Sequence, residues 1–298
     1  MSTNIRVNRR QFGALASLAI AGPALAKRPP TLDLAAAVVA AERATGGRVG
    51  LAVHDTASGR RFSHRGSERF PMASTFKMVL AAAILARVDR GADSLDRAIP
   101  VHASDLLDVS PVSKAHVGGT ATVAELTEAT IIYSDNTAAN LLLPAVGGPA
   151  GLTAFLRRIG DPVTRLDRNE PTMAEARRGD TRDTTSPDAM LATWERLLLG
   201  PVLSPASRAR LTTWLLANTT GSTRLRAGLP PTWRIGDKTG TGAAATGTVN
   251  DVAIAWPDRA ATAPVLIASF INGGTAPGDV LYRTHADLAR AVAAAIVD

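Results

Sequence analysis

A serine and a lysine three residues apart, Ser74 and Lys77, interrupt the apolar run "PMASTFKMVLAAAILA". If residue 74 opens a helix, this spacing puts both side chains on one face. A serine hydroxyl is a weak nucleophile until a neighbouring base takes its proton. Burial disfavours the charged form of a lysine, so a lysine shut off from water can serve as that base. A helix N-terminus would aim N–H groups at the serine, where an oxyanion forms when a carbonyl is attacked. The chemistry on offer is acyl transfer. Alone, Ser-x-x-Lys is commonplace on protein surfaces, and it takes further groups to give it meaning.

Two such groups follow. Ser134-Asp135-Asn136 comes after the apolar "TIIY" and before "NTAANLLL". All three residue types are favoured helix caps, and capping is compatible with catalysis. Lys238-Thr239-Gly240 ends a strand-like segment. A lysine and a hydroxyl on an edge strand suit a carboxylate, and the glycine admits the backbone of a ligand. A solvated strand end is the plainer alternative. The three groups stand in order, 60 and then 104 residues apart.

In this set and order, over nearly the whole chain, the sequence resembles the class A serine β-lactamases and their relatives, the penicillin-binding proteins. The resemblance implies that Ser74 is the nucleophile and Lys77 its close partner, acting with Glu170 and a water in acylation. It makes Ser134 the proton relay to the departing lactam nitrogen, helped by Lys238. Asn136 would hydrogen-bond the acylamide side chain of the substrate. The backbone N–H groups of Ser74 and Thr241 would form the oxyanion hole. Thr239, Thr241 and Arg224 would hold the substrate carboxylate beside Gly240, while Asp135 would be structural.

The stretch "RLDRNEPTMAEARRGDTRDTTSP" looks like the omega loop of the class A enzymes, over residues 165–183. Glu170-Pro171 matches its glutamate and proline. Arg168 and Asp183 match the ion pair that closes its neck, and Arg165 with Asp167 offers a second. Glu170 separates the two relatives. A penicillin-binding protein stays acylated by the drug. A β-lactamase needs a base that turns water against the acyl-enzyme, and a carboxylate supplies one. Three positions depart from the family pattern: Ala174, where an asparagine is usual, Val109, where an aromatic is usual, and Asn169, where many relatives have tryptophan.

These groups need a frame. "TLDLAAAVVAAERATGG" (31–47) reads as an amphipathic helix ending at a glycine pair, and "RVGLAVHD" and "RRFSHR" as two strands around a turn. From 75 to about 219 apolar residues recur at helical spacing in six segments. "WRIGDKTGTG", "VNDVAIAWP" and "PVLIASFING" return to strands, and "YRTHADLARAVAAAIVD" closes with a helix. The expected fold is α+β: a five-stranded antiparallel sheet flanked by N- and C-terminal helices, with an inserted all-α domain and the active site between them. The expected division is 27–68 with 220–298 as a discontinuous α/β domain, and 69–219 as the helical one.

The first 26 residues read as a leader. Arg9-Arg10 precedes an Ala/Gly-rich apolar stretch ending in Ala24-Leu25-Ala26, the order of a signal peptide, and the arginine pair before Gln-Phe resembles a twin-arginine signal. Arg6, Arg9 and Arg10 lie in it with no acid, so removing their three charges from the formal +7 leaves +4. With aromatics at 4% and no dense basic block, nucleic-acid binding has little support. The chain has no cysteine, which excludes disulfides and thiolate metal sites, and the five histidines make no ligand set, so no metal and no cofactor is expected. No apolar run reaches the length of a membrane span.

The expectation is an exported bacterial monomer, free of the membrane once its leader is cleaved, that opens β-lactams and frees itself with water. Two rivals stand beside it. A D,D-peptidase acting on peptidoglycan would share the three motifs but lack the Glu-Pro loop. An inactive relative would bind β-lactams without turnover.

Overall fold

The computed structural model describes residues 1–3, 31–175, 179–257 and 263–297. The proposed leader lies almost wholly outside the described residues.

Helix α1 (Ala35–Thr45) leads into β1 (Arg48–Asp55) and β2 (Arg61–His64). The two-residue β3 (Phe70–Pro71) delivers the chain to a 3₁₀ turn at Ala73–Thr75 and to α2 (Phe76–Asp89). Then come β4 (Ala98–Pro100), β5 (Thr120–Thr122), α3 (Val123–Ile132), α4 (Asn136–Leu142) and α5 (Gly148–Arg158). The loop at 165–183 ends in β6 (Thr184–Thr185), followed by α6 (Pro187–Leu198), α7 (Pro205–Leu216) and the single turn α8 (Leu225–Gly228). Strands β7 (Arg234–Thr241), β8 (Val249–Trp256) and β9 (Val265–Asn272) precede the long α9 (Gly278–Val297).

The five long strands form one antiparallel sheet in the order β2-β1-β9-β8-β7. The two halves of the chain meet where β1 pairs with β9, from Arg48 opposite Asn272 to Asp55 opposite Val265. Both faces of the sheet are covered, which is why β1, β8 and β9 lack a polar alternate face. Val49, Leu51, Val53, Ile267 and Ile271 face α1 and α9. Ala52, Val252, Ile254, Leu266, Ala268 and Phe270 face the helical layer, whose core is continuous with theirs.

Helix α2 runs through the middle of that layer. Its residues from Phe76 to Ala86 are all buried, as an all-round apolar helix requires. Position 77 is therefore inside whatever residue stands there.

The five strands and their antiparallel order agree with the sequence expectation. Helix α9 begins at Gly278, four residues earlier than the apolar period suggested. The ribbons β3–β6 and β4–β5 were not expected, since two or three residues carry no readable period. The first of them matters to the site. Phe70 and Pro71 pair with Thr185 and Thr184, and the Met72 N–H continues the ladder by donating to the Asp183 carbonyl at 2.9 Å. The neck of the 165–183 loop is thus stitched to the chain two residues before Ser74.

Candidate active site

Ser74 sits in the 3₁₀ turn that feeds α2. Ala73 before it has φ +44°, and Val109, Ser134 and Asp183 are likewise in the left-handed region at φ +60°, +58° and +55°. A non-glycine residue rarely adopts this conformation, at a cost of about 1–3 kcal/mol each. Four of the five such residues described in the chain belong to the loops that converge here.

Lys77 is fully buried one turn further on. Its Nζ donates to the Ser134 carbonyl at 2.7 Å and to Asn136 Oδ1 at 2.6 Å, with Ser134 Oγ and Glu170 Oε1 both at 3.4 Å. Burial pushes its proton affinity down, and the Glu170 carboxylate pulls it part of the way back. The Ser74 hydroxyl donates to the same Glu170 Oε1 at 3.4 Å. Lys77 and Ser74 thus meet at one carboxylate oxygen.

Ser134 lies between two lysines. Lys238 Nζ donates to Ser134 Oγ at 3.0 Å, opposite Lys77. Lys238 is also fully buried, and its pKa falls well below the usual range, first through burial and then through repulsion from Lys77. Asp135 is the N-cap of α4: its Oδ1 accepts from the Ala138 N–H and Ser113 Oγ, and its Oδ2 from the Val112 and Ser113 N–H groups. That accounts for Asp135 as a structural residue.

Strand β7 lies at the sheet edge and carries Lys238, Thr239, Gly240 and Thr241 along the cleft. Gly240 has a reason beyond ligand access. A Cβ there would stand 2.7 Å from the Met72 carbonyl oxygen, so only glycine lets the strand press on the turn that carries Ser74. Arg224 is buried behind it. Its Nη1 donates to the Gly240 and Asn250 carbonyls at 3.0 and 2.7 Å, and its Nη2 to Thr241 Oγ1 at 2.6 Å. The guanidinium thus addresses the cleft through the Thr241 hydroxyl.

Glu170 is 6% exposed. Its backbone is held by a residue that sequence reasoning missed. Asn140 Nδ2 donates to the Glu170 carbonyl at 2.9 Å, and Asn140 Oδ1 accepts the Glu170 N–H at 3.1 Å. The available signal was its spacing, one helical turn after Asn136 on α4 and therefore on the same face. Arg168 Nε meets Asp183 Oδ2 at 2.6 Å, while Asp183 Oδ1 accepts the Asp167 and Arg168 N–H groups. Arg165 pairs with Asp167 at 2.5 Å, so both expected ion pairs are present at the neck. Also unforeseen was a buried chain beneath β7: Arg226 to Asp237, Asp237 to Asn218, Asn218 to Thr220, and Thr220 to Thr239.

The cleft thus gathers a hydroxyl at a helix entrance, two desolvated lysines around a second hydroxyl, and a carboxylate fixed by its own loop. A model of the β-lactamase enzyme family matches residues 33–298. The chain belongs to the class A serine β-lactamases. It is 50% identical over 256 residues to β-lactamase L2 of Stenotrophomonas maltophilia, covering 85% of this chain and 84% of that protein. Against β-lactamase CTX-M-8 of Citrobacter amalonaticus the identity is 45% over 240 residues, covering 80% and 81%. Among solved structures, an ancestral class A β-lactamase matches with a TM-score of 0.85 at 56% identity, over 88% of this chain and 99% of that one. A β-lactamase from Xanthomonas campestris pv. campestris matches with a TM-score of 0.85 at 50% identity, over 88% and 97%. This β-lactamase is accordingly a serine hydrolase that opens β-lactams, with the α+β fold of its family.

Proposed function

We propose that this β-lactamase works through an acyl-enzyme on Ser74 and releases it with a water activated by Glu170. One observation supports this most: Glu170 Oε1 is within 3.4 Å of both Ser74 Oγ and Lys77 Nζ. A carboxylate so placed can take part in forming the ester and then direct water onto it.

In this reading Ser74 Oγ attacks the lactam carbonyl, and its proton passes to the Glu170–Lys77 pair. The carbonyl oxygen gains charge against the N–H groups of Ser74 and Thr241, each such donor being worth about 10²–10³ in rate. The lactam C–N bond breaks, and Ser134, between Lys77 and Lys238, delivers a proton to the departing nitrogen. Thr239 and Thr241, with Arg224 behind them, hold the substrate carboxylate, and Asn136 binds the acylamide. Water then attacks the ester carbonyl, giving a proton to Glu170; the bond from the acyl carbon to Ser74 Oγ breaks, Glu170 returns that proton to Ser74 Oγ, and the penicilloate-type acid leaves. The Glu-Pro loop supports this reading over a D,D-peptidase.

A time course with a chromogenic cephalosporin, followed by intact mass, tests the proposal. Many turnovers per enzyme are expected, with a transient acyl mass on the Ser74 peptide. Arrest near one equivalent would overturn it in favour of a penicillin-binding or decayed relative.

Arg224→Ala should raise KM by about tenfold or more for substrates with a free carboxylate and change kcat less, since it removes charge behind the binding hydroxyl and nothing at the reacting atoms. Equal losses in kcat and kcat/KM would contradict this assignment. Ala174 lies on the loop wall, where its carbonyl accepts the Ala243 N–H at 3.1 Å. Its methyl stands where relatives have an amide to hold the deacylating water. Ala174→Asn should therefore increase steady-state turnover for slowly deacylated substrates, and an unchanged kcat would sink the idea.

We place the working enzyme outside the bacterial cytoplasm, which the leader pattern supports, and take it to be a monomer free of the membrane, which the lack of a long exposed apolar stretch in the sequence supports. The division into a discontinuous α/β part, 27–68 with 220–298, and the 69–219 helical part is proposed on the order of strand-like and helical segments in the sequence.

A further inference from the structure

A cavity of about 1010 Å³ lies apart from the catalytic cleft. It lies behind the 165–183 loop, between the start of β1, the end of β9 and the turn at Ala244–Thr246. Its charged lining is Arg48, Arg69, Glu175 and Asp180, with the Thr184 and Thr246 hydroxyls and the Asn272 amide among them.

Most of this charge is matched within the wall. Arg48 Nη1 meets Glu68 at 2.7 Å, and its guanidinium lies 4.6 Å over the Phe70 ring. Asp180 is paired with Arg182 at 2.8 Å, which holds its carboxyl near a pKa of about 2 and hence ionised. Glu175 has Arg168 at 3.4 Å. Arg69 differs. Its Nη1 donates to the Val163 carbonyl and to Thr184 Oγ1 at 3.0 and 2.9 Å. No carboxylate lies within ion-pair distance of it among the described residues, and its Nε and Nη2 donors have no acceptor there. An arginine anchored through one nitrogen, with the rest of its planar fork unused, is set for a two-oxygen anion.

We propose that this cavity is a second binding site, taking a small organic anion through a carboxylate or phosphate group on the Nε and Nη2 donors of Arg69, while the Thr184 hydroxyl, which donates to the Thr181 carbonyl at 2.6 Å, anchors Nη1. Its volume suits a metabolite-sized ligand. The site bears on the first one. Thr184 is in β6, which pairs with β3, and the adjoining Met72–Asp183 bond joins the loop neck to the nucleophile turn. A ligand on Arg69 would stiffen both at once.

The test is an amide NMR titration of the intact enzyme with inorganic phosphate and with citrate, beside sodium chloride at equal ionic strength. Saturable shifts at Gly179, Thr181, Thr184 and Gly273 are expected with one common midpoint. That midpoint should weaken tenfold or more in Arg69→Gln and less in Arg69→Lys, which keeps the charge and loses the fork. Phosphate or citrate binding alone would name the preferred group. Shifts confined to Lys238–Thr241, or shifts that chloride reproduces, would overturn the proposal. If Arg69→Gln does not fold, an Arg69→Lys midpoint equal to that of the wild type would do the same.

Discussion

Glu170→Gln is expected to stop this β-lactamase at the ester. Steady-state turnover should fall by about 10²–10⁴, the usual contribution of a general base, and the acyl mass should persist on the Ser74 peptide. The glutamine keeps the shape of the side chain, and the backbone clamp from Asn140 does not depend on the carboxylate. Misfolding is therefore a poor explanation for the loss, and an unchanged melting temperature would show this directly. The proposed base is held on three sides. Asn140 fixes its backbone, Arg168 and Asp183 close the loop beyond it, and β3–β6 ties that neck to the Ser74 turn. Deacylation needs the water-activating oxygen to stay in register with an ester formed on a different element, and this stitching supplies the register. The measurement is a burst experiment with intact mass at matched times. A variant that still turns over freely would remove Glu170 from the deacylation step.

Much of this arrangement was legible because chemistry writes itself in short local patterns. Ser74 and Lys77 are one helical turn apart, Ser134 and Asn136 stand at one helix start, and Lys238 to Thr241 share one strand end. Each pair is positioned by an element whose period is readable. What brings the groups together is not local. Nothing in the chain announces that Ser134 Oγ comes to rest between Lys77 and Lys238, which are 161 residues apart in sequence. Asn140 carries no mark of its role in the local sequence, because its partner is a backbone 30 residues away. Gly240 looked like a concession to a ligand, yet its first contact is the Met72 carbonyl. The sheet was readable from its turns and apolar runs, whereas β3 and β6, two residues each, gain their meaning only by pairing. Local periodicity predicts elements, and packing alone decides which polar groups become neighbours.

Lys77 carries the second large effect. Lys77→Met should lower the acylation rate by about 10²–10⁴, and Lys77→Arg should not restore it, since a guanidinium does not release its proton in a protein. The methionine also leaves the Ser134 carbonyl, Asn136 Oδ1 and Glu170 without their buried donor, at about 1–3 kcal/mol for each unmet group. Stability must therefore be measured beside rate. The pH profile separates the two candidate bases without that complication. In the wild type, burial lowers the lysine pKa and Glu170 raises it in part. Replacing the carboxylate in Glu170→Gln removes the raising influence, so the lysine pKa falls further. If neutral Lys77 takes the proton from Ser74, the acid limb of the acylation rate in Glu170→Gln must move to lower pH, with acylation still measurable. If Glu170 is the acylation base, the rate instead drops at every pH and the limb does not move downward. Single-turnover acylation of Glu170→Gln between pH 5 and 9 distinguishes these outcomes. The 3.4 Å contacts from Glu170 Oε1 to both Lys77 Nζ and Ser74 Oγ favour the second, because a carboxylate that close stabilises the ammonium form of the lysine and already accepts from the serine.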